Sequence, residues 1–203
     1  MLKMNKKLLS TLLLLLTIPS LTLQMSLLQG SPIIGIDAEK SASITILDMV
    51  GKAPKAIWQT GVLQKWKQIR FGGPDTDPNG FAMYKYNIKL NDGKTYSRIL
   101  ETHPMWKDYG WILGSYRNIY LPKGGAAFHA KVGFIQGGEA GDVRLQFYLW
   151  NEERQRIEYI ALNTLLSYRD GVKTYKVAIP ERYLGSSWTL RIKVDAQGRS
   201  GPS

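Results

Sequence analysis

The segment His103-Pro104-Met105-Trp106-Lys107-Asp108-Tyr109-Gly110-Trp111 brings together side chains suited to recognising sugars, and Tyr116 and Arg117 follow closely. Aromatic faces stack on the C–H faces of sugar rings, while Asp, Arg and His exchange hydrogen bonds with hydroxyls. This pattern assigns Trp106, Trp111 and Tyr116 as stacking groups. It assigns His103, Asp108 and Arg117 as hydrogen-bonding groups; the segment from His103 to Trp111 is expected to be a loop, where a sandwich presents its functional residues. The competing reading is that Trp106 or Trp111 simply caps the core. A second aromatic group, Trp150 with Tyr148 and Arg144, is expected on the strand face opposite the core.

Two other chemistries are open to test. Asp75-Thr76-Asp77-Pro78-Asn79-Gly80 places oxygen ligands at alternate positions before a glycine, as in the first half of a calcium loop. Asp75, Asp77 and Asn79 are therefore candidate ligands for a structural calcium. The position of the closing bidentate glutamate, however, holds Tyr86, and Asp-Pro and Asn-Gly are ordinary turn formers. The turn is the favoured reading. No nucleophile elbow, zinc-protease helix or phosphate loop is present in the sequence. Glu101, beside the tryptophan-rich segment, is the one carboxylate in suggestive company for glycoside hydrolysis. The expectation is a protein that is not an enzyme and has no required cofactor.

Positioning these groups requires a sheet. Period-two alternation dominates after residue 40. Tyr84 to Leu90, the turn Asn91-Asp92-Gly93 and Thr95 to Leu100 predict a hairpin. Phe128, Ala130, Val132 and Phe134 alternate with His129, Lys131 and Gly133. Val143, Leu145, Phe147 and Leu149 alternate with Arg144, Gln146, Tyr148 and Trp150. Ile157 to Ala161, Lys173 to Ile179 and Trp188 to Val194 are further predicted strands, and Ser43 to Leu47 an opening one. A short helical turn is expected within Ala53 to Gln68, and residues 160–167 are ambiguous. Short strands separated by turns, with no room for crossover helices, predict an all-β sandwich.

The N-terminus sets the compartment. Lys3, Lys6 and Lys7 precede an uncharged run from Leu8 to Leu28, the pattern of an export signal. The run is long enough to cross a bilayer, so an uncleaved signal anchor is the alternative. Residues 1–36 are expected to be signal peptide or signal anchor, and 37–203 a single β-sandwich domain, secreted or membrane-anchored outside the cytoplasm. The chain has no cysteine, which excludes disulfides and thiolate chemistry. The net charge is +11, but its basic residues are dispersed. Nucleic-acid binding requires a clustered stripe and a recognisable module, so it is not expected.

Several segments resemble the NPCBM family, the novel putative carbohydrate-binding module. They are Ile112-Leu113-Gly114 with Tyr116, Ile119-Tyr120-Leu121-Pro122-Lys123-Gly124-Gly125, Phe128-His129-Ala130-Lys131-Val132-Gly133-Phe134, and Leu190-Arg191-Ile192-Lys193-Val194-Asp195-Ala196-Gln197-Gly198. The resemblance covers roughly residues 43–198, mostly at framework positions. It implies a galactose-binding-like jelly-roll β-sandwich and a glycan-binding role. The family's final strand after that glycine has no counterpart before Ser203, so the expectation is that either the last strand is missing or a different segment closes the sheet. The function expected is non-catalytic binding of a glycan or cell-surface polysaccharide. The alternative is an envelope structural or protein-interaction module without a sugar site.

Overall fold

The computed structural model describes residues 44–197. The expected signal or anchor segment and any strand after Gly198 lie outside the described residues. Among the described residues there are ten strands and three short 3-10 turns, and no α-helix. The strands are β1 (Ile57–Val62), β2 (Lys65–Ile69), β3 (Phe81–Lys89), β4 (Thr95–His103), β5 (Gly110–Leu121), β6 (Ala127–Val132), β7 (Asp142–Asn151), β8 (Arg156–Ser167), β9 (Lys173–Ala178) and β10 (Ser186–Asp195).

The architecture is all-β and sandwich-like. One layer is a six-stranded antiparallel sheet in the order β2-β1-β5-β10-β7-β8. The other contains two antiparallel ribbons, β3-β4 and β6-β9. A bridge between Leu90 and Ile135 links the ribbons. Backbone bonds from Asn91 N to Phe134 O (2.9 Å) and from Gln136 N to Lys89 O (3.0 Å) reinforce it.

The core lies between these layers. Ile112, Leu145, Phe147, Leu149, Leu190, Ile192 and Val194 supply it from the large sheet, and Ala82, Leu100, Phe128, Ala130 and Val132 from the ribbons. Phe128 and Phe147 stack across the layers with centroids 3.8 Å apart. Trp58 is fully buried and donates its indole N–H to Ala53 O at 2.8 Å. It packs over Gly114, where an added Cβ would stand 2.7 Å from the ring. Glycine at 114 is therefore what admits the indole.

One expectation holds and two need correction. The short helical turn expected within Ala53 to Gln68 is the 3-10 turn Ala53–Lys55, and the β1-β2 hairpin follows it. The opening strand expected over Ser43 to Leu47 is not formed in the described residues 44–47, where Thr45 makes only an isolated bridge. The aromatic segment is not all loop, because Gly110 begins the twelve-residue strand β5, which carries Trp111, Tyr116 and Arg117. β5 shows no alternation in sequence because Ile112 through Tyr116 are all buried. A central strand covered on both faces has no polar side to reveal it.

Candidate functional site

Directly paired residues of antiparallel strands project from the same face. Since Ile112, Ile192 and Phe147 face the core, their strand neighbours form the opposite, outer face of the large sheet. The registers arrange that face in rows across the strands.

The first row runs Trp66, Gly61, Trp111, Asp195, Arg144, Leu165 from β2 to β8. The second runs Gln68, Gln59, Leu113, Lys193, Gln146, Asn163. The third is Ile57, Ser115, Arg191, Tyr148, Ile160. A fourth holds Thr189, Trp150 and Ile157. Arg117, two residues beyond Ser115, continues this face on β5.

In the first row Trp66 is 60% exposed. A Cβ at Gly61 would fall 2.3 Å from Lys65 O and 2.8 Å from the Trp111 ring, so only glycine lets Trp111 settle over β1. The Trp111 indole N–H bonds Leu63 O at 3.1 Å. Lys193 Nζ sits 5.7 Å from its ring centroid and 3.2 Å from Asp195 Oδ2. Trp66 and Trp111 stand two strand spacings apart, roughly 10 Å. Arg144 is held by Asn163 Oδ1 at 3.2 Å and Gln197 Oε1 at 2.9 Å.

At the other end of the face, the Arg191 guanidinium lies 3.8 Å from the Trp150 ring centroid. Burial lowers the Arg191 pKa from its usual value and raises that of its register partner Tyr148. Glu152 accepts from Thr189 Oγ1 at 2.8 Å and pairs with Arg117 Nε at 3.4 Å. Burial opposes ionisation of Glu152, but the Thr189 bond and the charges of Arg117 and Arg191 outweigh it and lower the carboxyl's pKa.

The six residues expected to form one loop site do not converge. Trp111 and Arg117 are on the outer face, six strand residues or roughly 20 Å apart. Tyr116 points the other way, is 4% exposed, and donates its hydroxyl to Met49 O at 2.9 Å. Its ring belongs to the core and has no face for a ligand. His103 stacks on Phe81 at 5.4 Å and meets Trp106 edge-on at 5.6 Å. The Trp106 backbone N–H bonds Pro78 O at 2.9 Å. This cluster ties the β4-β5 connection to the turn at residues 77–80. Asp108 is exposed on that connection. The second aromatic group, Trp150 with Tyr148 and Arg144, does lie on the face opposite the core.

The Asp75–Gly80 segment is built as a turn. Asp77 Oδ1 accepts both the backbone and side-chain N–H groups of Asn79 at 2.8 Å. Asp75 is paired with Lys85. Among the described residues no group of three His, Asp or Glu side chains is arranged to hold a metal. Glu101 is 1% exposed, and among the described residues neither of its carboxylate oxygens has a hydrogen-bond partner. Burial pushes its pKa up to about 7, against the pull of Lys85 Nζ at 3.8 Å.

The outer face holds residues the sequence did not flag: Trp66, Gln59, Gln68, Asn163, Arg191 and Lys193. Trp66 sits among Lys65, Lys67 and Arg70, where charge masked it. The alternation Trp66-Lys67-Gln68 was the available signal. Compared with protein-family models, curated proteins and solved structures, the chain matches none.

Proposed function

We propose that this domain binds carbohydrate, without catalysis, on the outer face of its six-stranded sheet. The observation that carries the reading is the pairing of two adjacent rows. Trp66 and Trp111 flank Gly61, and Gln59, Gln68, Gln146 and Asn163 line the next row. Indoles offer stacking surface, and amides both donate to and accept from hydroxyls. Spacing across two strands suits a short oligosaccharide lying along the sheet rather than one ring. This moves the stacking role from the loop to the sheet, retaining Trp111 and adding Trp66.

The resemblance to the NPCBM family supports the same reading, and with it a jelly-roll arrangement of galactose-binding-like type. The lysine-led apolar N-terminus supports export, with the domain secreted or membrane-anchored at the cell surface. The test is a glycan array probed with the full chain. Specific signal on any glycan supports the proposal, and a blank array from folded protein refutes it.

One observation favours the alternative of an envelope interaction module. Ile157, Ile160 and Leu165 are 43%, 43% and 57% exposed on β8, an edge strand of the large sheet. An apolar stripe beside an open strand edge suits strand addition by another protein. Co-purification of a partner lost on Leu165→Glu, with a blank array, would select this reading.

A further inference from the structure

Among the described residues, three polar atoms on the outer face are buried without hydrogen-bond partners: Ser115 Oγ, Arg191 Nε and Trp150 Nε1. They belong to one corner. Ser115 and Arg191 are register partners on β5 and β10. Arg191 lies on the ring of Trp150, from β7. Ser115 is only 3% exposed although it faces away from the core. Leaving such groups unpaired is costly, which makes the corner a place where a ligand's acceptors would be rewarded.

The chemistry of the three atoms is one-sided. Arg Nε and Trp Nε1 only donate, and a serine hydroxyl can donate. A corner of donors with a guanidinium matches an acceptor-only, negatively charged group. The local charges agree. Glu152 is engaged by Arg117 and Thr189 and acts on Arg191 only at longer range. Tyr148 shares a hydrogen bond with the guanidinium, and among the described residues no carboxylate stands within ion-pair distance of Arg191.

We propose that the ligand is an acidic glycan whose oxyanion substituent is received by Arg191, Ser115 and Trp150 where β5, β10 and β7 adjoin. This rests on the carbohydrate reading and deepens it. Binding swings the guanidinium off the Trp150 ring, exchanging a cation–π contact for charge-assisted hydrogen bonds. The swing frees the indole N–H and the serine hydroxyl to donate to the same group. A carboxylate and a sulfate ester share this chemistry.

The experiment measures binding of the full chain to matched polysaccharide pairs. Polygalacturonate is set against its methyl ester, and a sulfated galactan against agarose. Tighter binding to the charged member, by about tenfold or more, is expected for at least one pair. The pair that discriminates identifies carboxylate or sulfate. Arg191→Ala should abolish the preference, and Ser115→Ala should weaken it while keeping the fold. Lys176→Ala, which removes an exposed charge on β9, should leave it unchanged. Equal binding to charged and neutral members overturns the inference and leaves the carbohydrate reading standing. Equal losses in Arg191→Ala and Lys176→Ala overturn it too, showing only diffuse attraction to a cationic chain. Binding to no polysaccharide overturns both. If Arg191→Ala does not fold, Arg191→Gln and Ser115→Ala decide, and an undiminished preference in both refutes the corner.

Discussion

The outer face of the large sheet and the β4-β5 connection both use tryptophan, yet they use it differently. At the connection, Trp106 meets His103 at the end of β4, His103 in turn stacks on Phe81 of β3, and the chain is tied to Pro78. On the sheet, Trp66 and Trp111 share a row with an intervening glycine, beside amides and cations. The first arrangement uses rings to hold a turn in place. The second spreads them over a solvent-side surface. Composition alone does not separate the two; what separates them is whether neighbouring positions supply further rings or hydrogen-bonding side chains.

The comparison makes the connection a structural region, and its largest expected effect is on stability. Glu101, two residues before His103, has a usual pKa of 4.5 and one of about 7 in the fold. Between these values the folded protein keeps a proton that the unfolded chain releases, so stability falls as pH rises from 4.5 to 7. Glu101→Gln should flatten that dependence and leave the variant more stable than the parent above pH 7 by about 3 kcal/mol. Urea unfolding across this range checks it, and an unchanged slope would break the assignment.

Trp106→Ala comes next. It should cost about 2 kcal/mol, less than a fully buried tryptophan, with glycan affinity per folded molecule unchanged. Denaturant midpoints and binding measured on the same sample separate the two effects. Trp111→Ala should do the reverse, losing about tenfold in affinity, or about 1.4 kcal/mol, with a smaller change in the unfolding midpoint. Asn163→Ala should reduce affinity by about 1 kcal/mol or less and leave stability unmoved, as read by titration calorimetry. The smallest effect expected is that of a chelator. Asp75 is engaged by Lys85 and Asp77 by Asn79, so calcium removal should change neither quantity.

What was legible in the sequence follows the same physics. β7 and β10 were plain because Val143, Leu145, Phe147 and Leu149, and Leu190, Ile192 and Val194, alternate with polar neighbours on a half-solvated sheet. The same alternation placed Arg144, Tyr148 and Trp150 opposite the core. β5 was hidden because both of its faces are covered, and Tyr116 was misplaced with it. Nothing in the local sequence tells a buried tyrosine bonded to Met49 O from an exposed one. β1 and β2 were obscured by Ala53-Pro54-Lys55 and by the lysines around Trp66. The rows of the outer face depend on the order of six strands, which no local pattern encodes.

The most direct test of the central claim is affinity electrophoresis on the glycan selected by the array. It compares the full-length parent, the Trp66→Ala/Trp111→Ala double variant and Trp106→Ala, each checked for folding. The account predicts that the folded double variant migrates unretarded while folded Trp106→Ala is retarded like the parent. Retardation of the double variant together with its loss in Trp106→Ala would contradict it, and would return the site to the β4-β5 connection.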